Sequence, residues 1–221
     1  MSMQQQETKS CGMSAMLRNP GEVAQRLCEC SPRQCLAAMA RMALMAALGF
    51  GLFGFVAGLF VDWQIAFLDA AKAVGIAAFS FCICLPMLYV FANLAGCSLS
   101  FVRICGIGIL CLSTLGCIFA ALAPILWLFA VSTESATSIV FIFIVMSAIA
   151  WCFVQIPIDG ICSKGLVPRR QVLYVWAVVL LVVSLQMVTL MRPMLSRPED
   201  GRLPPGKCFF LKHFAQLLNK W

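Results

Sequence analysis

Charge is nearly absent from the central two thirds of this chain. Between Met42 and Met191 the charged positions are Asp62, Asp69, Lys72, Arg103, Glu134, Asp159, Lys164, Arg169 and Arg170, and each falls between long apolar runs. Those uncharged runs cover 42–61, 73–102, 104–133, 135–158 and 171–191. About 20 apolar residues in an α-helix cross the hydrocarbon core of a bilayer, and an unbroken stretch of about 18 is already a candidate span. A transmembrane barrel would instead show segments of about 10 residues with alternating polarity, and no such alternation is present. The pattern predicts an all-α, polytopic transmembrane helical bundle with spans near 41–61, 73–95, 104–131, 137–158 and 171–191, a membrane domain of residues 36–195.

The flanks read differently. Residues 1–17 are polar and form a flexible N-terminal tail, and residues 18–35 carry short cytosolic or interfacial helices. Asn19-Pro20-Gly21-Glu22 has the grammar of a helix start: an asparagine cap, proline at the first helical position, and an acid placed to close a capping box. Ser31-Pro32-Arg33-Gln34 repeats it, and with no stop signal following, 32–61 is expected to be one rod. The first short helix is expected to lie along the membrane surface. Residues 196–221 form a C-terminal tail in which Phe210, Phe214, Leu217 and Trp221 recur at helical spacing opposite Lys212, Gln216, Asn219 and Lys220. That pattern predicts a short amphipathic helix in the interface; a surface that docks a partner is the rival reading.

Composition agrees with the patterning. Of 221 residues, 62% are hydrophobic and 11% charged, against about 45–50% apolar and about 25% charged in soluble domains. The formal charge of +7 gathers at the ends of the apolar runs, where orientation signals belong, so no nucleic-acid partner is expected. The lipid bilayer is the expected partner. The N-terminal segment, Arg103 and the Lys164–Arg170 loop favour a cytoplasmic N-terminus, while the basic C-terminal tail pulls the other way. A cell inner (plasma) membrane location, multi-pass, is the resulting expectation. The first run ends without a small-residue cleavage site and is expected to remain as an anchor.

Candidate chemistry is sparse. Thirteen cysteines lie mostly in or beside apolar runs, where cysteine behaves as a small hydrophobe. The only cluster, Cys28, Cys30 and Cys35, has C-x-C-x4-C spacing without a C-x2-C pair, and the one histidine, His213, is distant. No metal or other cofactor is expected. Asp62, Asp69 and Asp159 fall at span ends, leaving no ionisable residue inside a span and no Ser/His or paired-aspartate arrangement, so an enzyme is not expected. The polar intramembrane candidates are Asn93, Gln155 and Gln186, whose amides need partners in a dry bundle. Gly51, Gly54 and Gly58 of the first span are helix-packing candidates, since small residues at this spacing let backbones approach, either within the chain or in a homo-oligomer. The exit motif Arg192-Pro193 has a plain physical reading, because proline ends the helix and arginine snorkels to the interface.

Several short motifs carry a family likeness. The helix opened by Asn19-Pro20 before five compact spans, the first glycine-rich, resembles the Yip1-like membrane proteins. Bacterial relatives are closer still. The second span ends in Leu85-Pro86-Met87-Leu88-Tyr89-Val90-Phe91-Ala92-Asn93. The last exits through Gln186-x5-Arg192-Pro193 into Lys207-Cys208-Phe209-Phe210-Leu211-Lys212-His213-Phe214. The resemblance covers most of residues 19–221 and implies five helices with the N-terminus in the cytosol. Eukaryotic members act in vesicle traffic and contact small GTPases; for bacterial members it implies no particular activity. The expectation is therefore a non-catalytic integral membrane protein with a membrane-organising or scaffold role, possessing a membrane-protein partner or forming a homo-oligomer. The alternative is a small transporter or channel-like subunit whose oligomeric pore is lined by Pro86, Asn93, Pro124 and Gln155.

Overall fold

The computed structural model describes residues 17–59, 63–97, 99–132, 136–165 and 170–190. Its elements are helices: α1 (Pro20–Glu29), α2 (Pro32–Gly58), α3 (Trp63–Leu94), α4 (Phe101–Ser132), α5 (Ala136–Phe153), α6 (Gln155–Ser163) and α7 (Arg170–Leu190). Five stretches are long and apolar enough to cross a membrane: Arg33–Gly58, Trp63–Leu94, Phe101–Phe129, Val145–Ser163 and Arg170–Val188. The chain is thus an all-helical, multi-pass membrane protein, as the uncharged runs require.

The helices overrun the predicted spans because nothing in the sequence stops them at the hydrocarbon edge. With 32 residues each, α3 and α4 reach about 48 Å at about 1.5 Å per residue, beyond the hydrocarbon core of about 30 Å and past the headgroups. The helix that carries the second uncharged run begins at Trp63, before that run, which puts Asp69 two turns inside α3 and fully buried. Local chemistry explains the boundaries. Pro20 and Pro32 open α1 and α2, yet neither Asn19 nor Ser31 makes a side-chain cap bond; the Ser31 hydroxyl instead donates to Gln34 at 3.1 Å. The capping box expected at Glu22 is replaced by backbone bonds from Glu22 and Val23 to the Asn19 carbonyl. The fourth span breaks at Val154, between α5 and α6. Pro157 lies three residues on, and its ring excludes the carbonyl of Phe153 four residues earlier. After α3, Gly96 adopts φ +85, letting the Cys97 N–H return to the Ala92 carbonyl at 3.0 Å and close the helix end.

α2 is the mast of the bundle, packed along α3 and α4; α7 leans on α3, α5 on α4, and α1 on α6. Glycines set the closeness of the mast. A Cβ on Gly49 would fall 2.1 Å from the Gly116 carbonyl oxygen, and one on Gly116 would fall 2.8 Å from the Ala46 Cα. The larger core joins α1, α2, α3, α4, α6 and α7 through residues such as Leu27, Met42, Leu88, Leu110, Ile158 and Trp176. A smaller one at the opposite end gathers Phe53, Val56, Ala57, Ala123, Leu126 and Met146. α1 is seated on the bundle. Val23, Ala24 and Leu27 are buried in the larger core, and a Cβ on Gly21 would lie 2.2 Å from the Gly160 oxygen. Its apolar face is thus covered by protein and its outward side carries Glu22, Arg26 and Glu29.

Candidate functional site

Where α2 meets α3, Gly54 and Gly58 bring the two backbones together. A Cβ on Gly54 would lie 2.6 Å from the Ala73 Cβ and 2.7 Å from the Asp69 carbonyl oxygen; one on Gly58 would lie 2.6 Å from the Ala66 Cα. The glycine face read from the sequence is therefore occupied by α3 of the same chain. Gly51 is only in ordinary contact, its Cβ position 3.4 Å from Val74. Asp69 sits within this seam at 0% exposure, and the Lys72 ammonium donates to its Oδ1 at 3.1 Å. Oδ2 is buried and has no partner. Trp63, Phe67 and Leu68 expose apolar side chains around the same turns, and Phe67 packs edge-on against Phe55 of α2 with centroids 5.2 Å apart. Such an aromatic collar belongs at the membrane–water boundary. A carboxylate buried in this seam is a candidate that the sequence reading, which took Asp69 only as a residue at a span end, did not single out.

One turn deeper a part-open cavity of about 120 Å³ begins. Five helices contribute to its walls: Phe50 and Gly54 of α2, Ala73 and Ala77 of α3, Phe119 of α4, and side chains of α5 and α7. The Phe119 ring meets Phe53 and Phe50, at centroid distances of 4.8 and 5.3 Å. The lining is almost wholly apolar, with hydroxyls supplied by Ser147 and Ser184. The cavity lies where the two cores meet, since Leu180 belongs to the larger and Phe53 to the smaller. An apolar cavity of comparable size, about 150 Å³, stays dry and takes an apolar guest.

The other candidates are scattered. Asn93 is exposed near the end of α3 and donates to its own helix at the Tyr89 carbonyl, 2.9 Å away. Pro86 and Pro124 are exposed as well. Gln155 is half-buried beside the α5–α6 break, with its Oε1 buried and unpartnered; Gln186 is half-buried on α7 and is engaged. Arg192, Pro193 and the amphipathic pattern of 209–221 lie outside the described residues. At the α6–α7 end, Arg170 pairs with Asp159 at 2.8 Å and with the Tyr174 hydroxyl, all three at the surface. Cys28 and Cys35 are buried and Cys30 half-buried, and among the described residues no group of three or more Cys, His, Asp or Glu is arranged to hold a metal. Burial pushes the Cys28 thiol above its ordinary range, with Arg103 pulling against it. A long-range bond that no local pattern announces ties α7 to α3: the Trp176 indole N–H donates to the Cys84 carbonyl at 3.0 Å.

No family model, curated protein or solved structure matches this chain.

Proposed function

We propose that this protein is a non-catalytic scaffold of the cell inner membrane, with its N-terminus in the cytoplasm, that organises its surroundings through lipid-facing helix faces. The observation that carries the reading is the close packing of α2 against its two neighbours. α2 meets α3 and α4 at backbone distance through Gly49, Gly54, Gly58 and Gly116, which closes both of those seams. Large apolar side chains, among them Phe79, Ile83, Trp127, Leu128 and Val182, face outward for lipid or a neighbouring membrane protein. The Yip1-like resemblance is compatible with this role and rests on its short motifs alone. Orientation is supported by charge: Arg26, Arg33, Arg103, Lys164 and Arg170 fall at the end that holds α1, against Lys72 at the other.

A transporter or channel-like subunit is the second reading, favoured by the outward exposure of Pro86, Asn93 and Pro124, which an oligomer could gather around a pore. Purification from native membranes with crosslinking, alongside flux assays in liposomes, separates the two. Specific partners without flux support the scaffold. Flux that disappears in Gln155→Leu overturns it in favour of transport. Reporter fusions at residues 165 and 221 test topology, since five crossings with the N-terminus inside require opposite sides.

A further inference from the structure

We propose that the cavity between α5 and α7 is a binding site for a short length of one acyl chain of a bilayer phospholipid, which enters sideways from the leaflet nearer the α2–α3 connection. Three observations carry this. The first is depth. On α3 the lining starts at Ala73, one turn beyond the interfacial Asp69, and continues through Ile76 and Ala77. Every contributing residue lies in a stretch long and apolar enough to span the membrane, so the medium beside the cavity is hydrocarbon, not water. The second is chemistry. A nearly uninterrupted apolar wall gives a polar solute nothing to replace its hydration, whereas a methylene chain gains close dispersion contacts that loosely packed lipid does not provide. The third is construction. α5 takes its support from α4 and α6, and α7 takes its support from α3 and α6. Both helices line the cavity, so the wall between them is the part of the bundle least held by direct packing.

The polar groups above the cavity shape the selectivity. Among the described residues at this end Lys72 and Asp69 neutralise one another, so together they present no net charge to the headgroup of the bound lipid. It selects the chain and is indifferent to whether the carrier is zwitterionic or anionic. The inference does not depend on the scaffold reading, because a transporter subunit with this bundle would hold the chain equally well.

The test uses the full chain reconstituted in vesicles of phosphatidylcholine or phosphatidylglycerol carrying a diazirine on the acyl chain, with labelled residues mapped by mass spectrometry after illumination. Labelling is expected to be several-fold denser on cavity residues such as Leu115, Trp151 and Leu185 than on the lipid-facing Phe79, Ile83 and Val90, and equal for the two headgroups. Ala150→Leu, which fills the cavity from α5, is expected to reduce the cavity labelling several-fold while leaving that of the outer face unchanged. Phe119→Ala, which enlarges it, is expected to retain or increase the signal, so a folding defect in one variant does not remove the test. Labelling spread evenly over cavity and outer face overturns the proposal, as does cavity labelling that survives Ala150→Leu unchanged or requires one headgroup.

Discussion

Lys72 reaches back one turn to hold Asp69, its Nζ 3.1 Å from Oδ1, while the second carboxylate oxygen is buried with no partner. The two members of the pair are unequal. The Lys72 side chain keeps 23% of its surface exposed, and that of Asp69 keeps none. Losing the lysine strands a buried charge, whereas losing the acid leaves an ammonium that can turn toward the headgroups. Lys72→Met is therefore expected to destabilise the protein by about 3–5 kcal/mol, and Asp69→Asn by about 1 kcal/mol. In the double variant the cost falls below the sum. Unfolding of the purified protein in detergent measures all three, and equal costs for the single variants would show that Asp69 is not the buried partner.

Glycine substitutions should separate the mast from the exposed helix faces. Gly49→Ala drives a methyl into the Gly116 backbone, and overpacking of this kind costs about 1–3 kcal/mol. Gly75 has nothing within 4 Å of its Cβ position, so Gly75→Ala is expected to be neutral or to stabilise α3 by up to about 1 kcal/mol. Thermal unfolding that shifted equally for both would contradict the α2–α4 contact.

Trp176→Phe removes the indole donor to Cys84 while keeping most of the apolar volume. The expected loss is about 1–2 kcal/mol, read as a lower unfolding temperature. Because the bond joins α3 to α7, limited proteolysis should cut the α6–α7 connection sooner in the variant. Unchanged proteolysis there would place the anchor of α7 elsewhere.

Thiol labelling should distinguish Cys28 from Cys30. Burial holds the Cys28 thiol neutral by raising it above its ordinary 9.0, against the opposing pull of Arg103 and with Cys35, Cys97 and Glu29 adding to the rise. The folded value thus exceeds the unfolded one. Its contribution to stability is intact below pH 9 and is lost as the pH climbs beyond it, where the unfolded chain ionises first. Maleimide at neutral pH is expected to modify half-buried Cys30 ahead of Cys28, and Cys28→Ala is expected to flatten the decline in stability on the alkaline side. Faster reaction at Cys28 than at Cys30 would show that α1 is not seated on the bundle.

The uncharged runs were enough to place five spans, because exclusion of charge from hydrocarbon is a one-dimensional signal. They left the burial of Asp69 unread for the same reason: a run stops at the first charge, but a helix does not. Proline at 157 was visible too, yet its effect falls at Val154, where the missing backbone donor and the ring clash act on the preceding turn. The seam glycines Gly54 and Gly58 could be recognised as packing residues but not assigned to α3, since small residues admit any close neighbour. The seating of α1 on Gly160, the Trp176–Cys84 bond and the cavity all join residues distant in the chain, and no local periodicity encodes such pairings.

The central position of α2 also divides the contacts of the bundle by their distance along the chain. Those made at Gly54, Gly58 and Gly116 join α2 to the two helices that follow it and use no residue of α7. α7 instead brings Leu173, Trp176 and Leu180 to the larger core from far along the chain, so the same core depends on both near and remote neighbours.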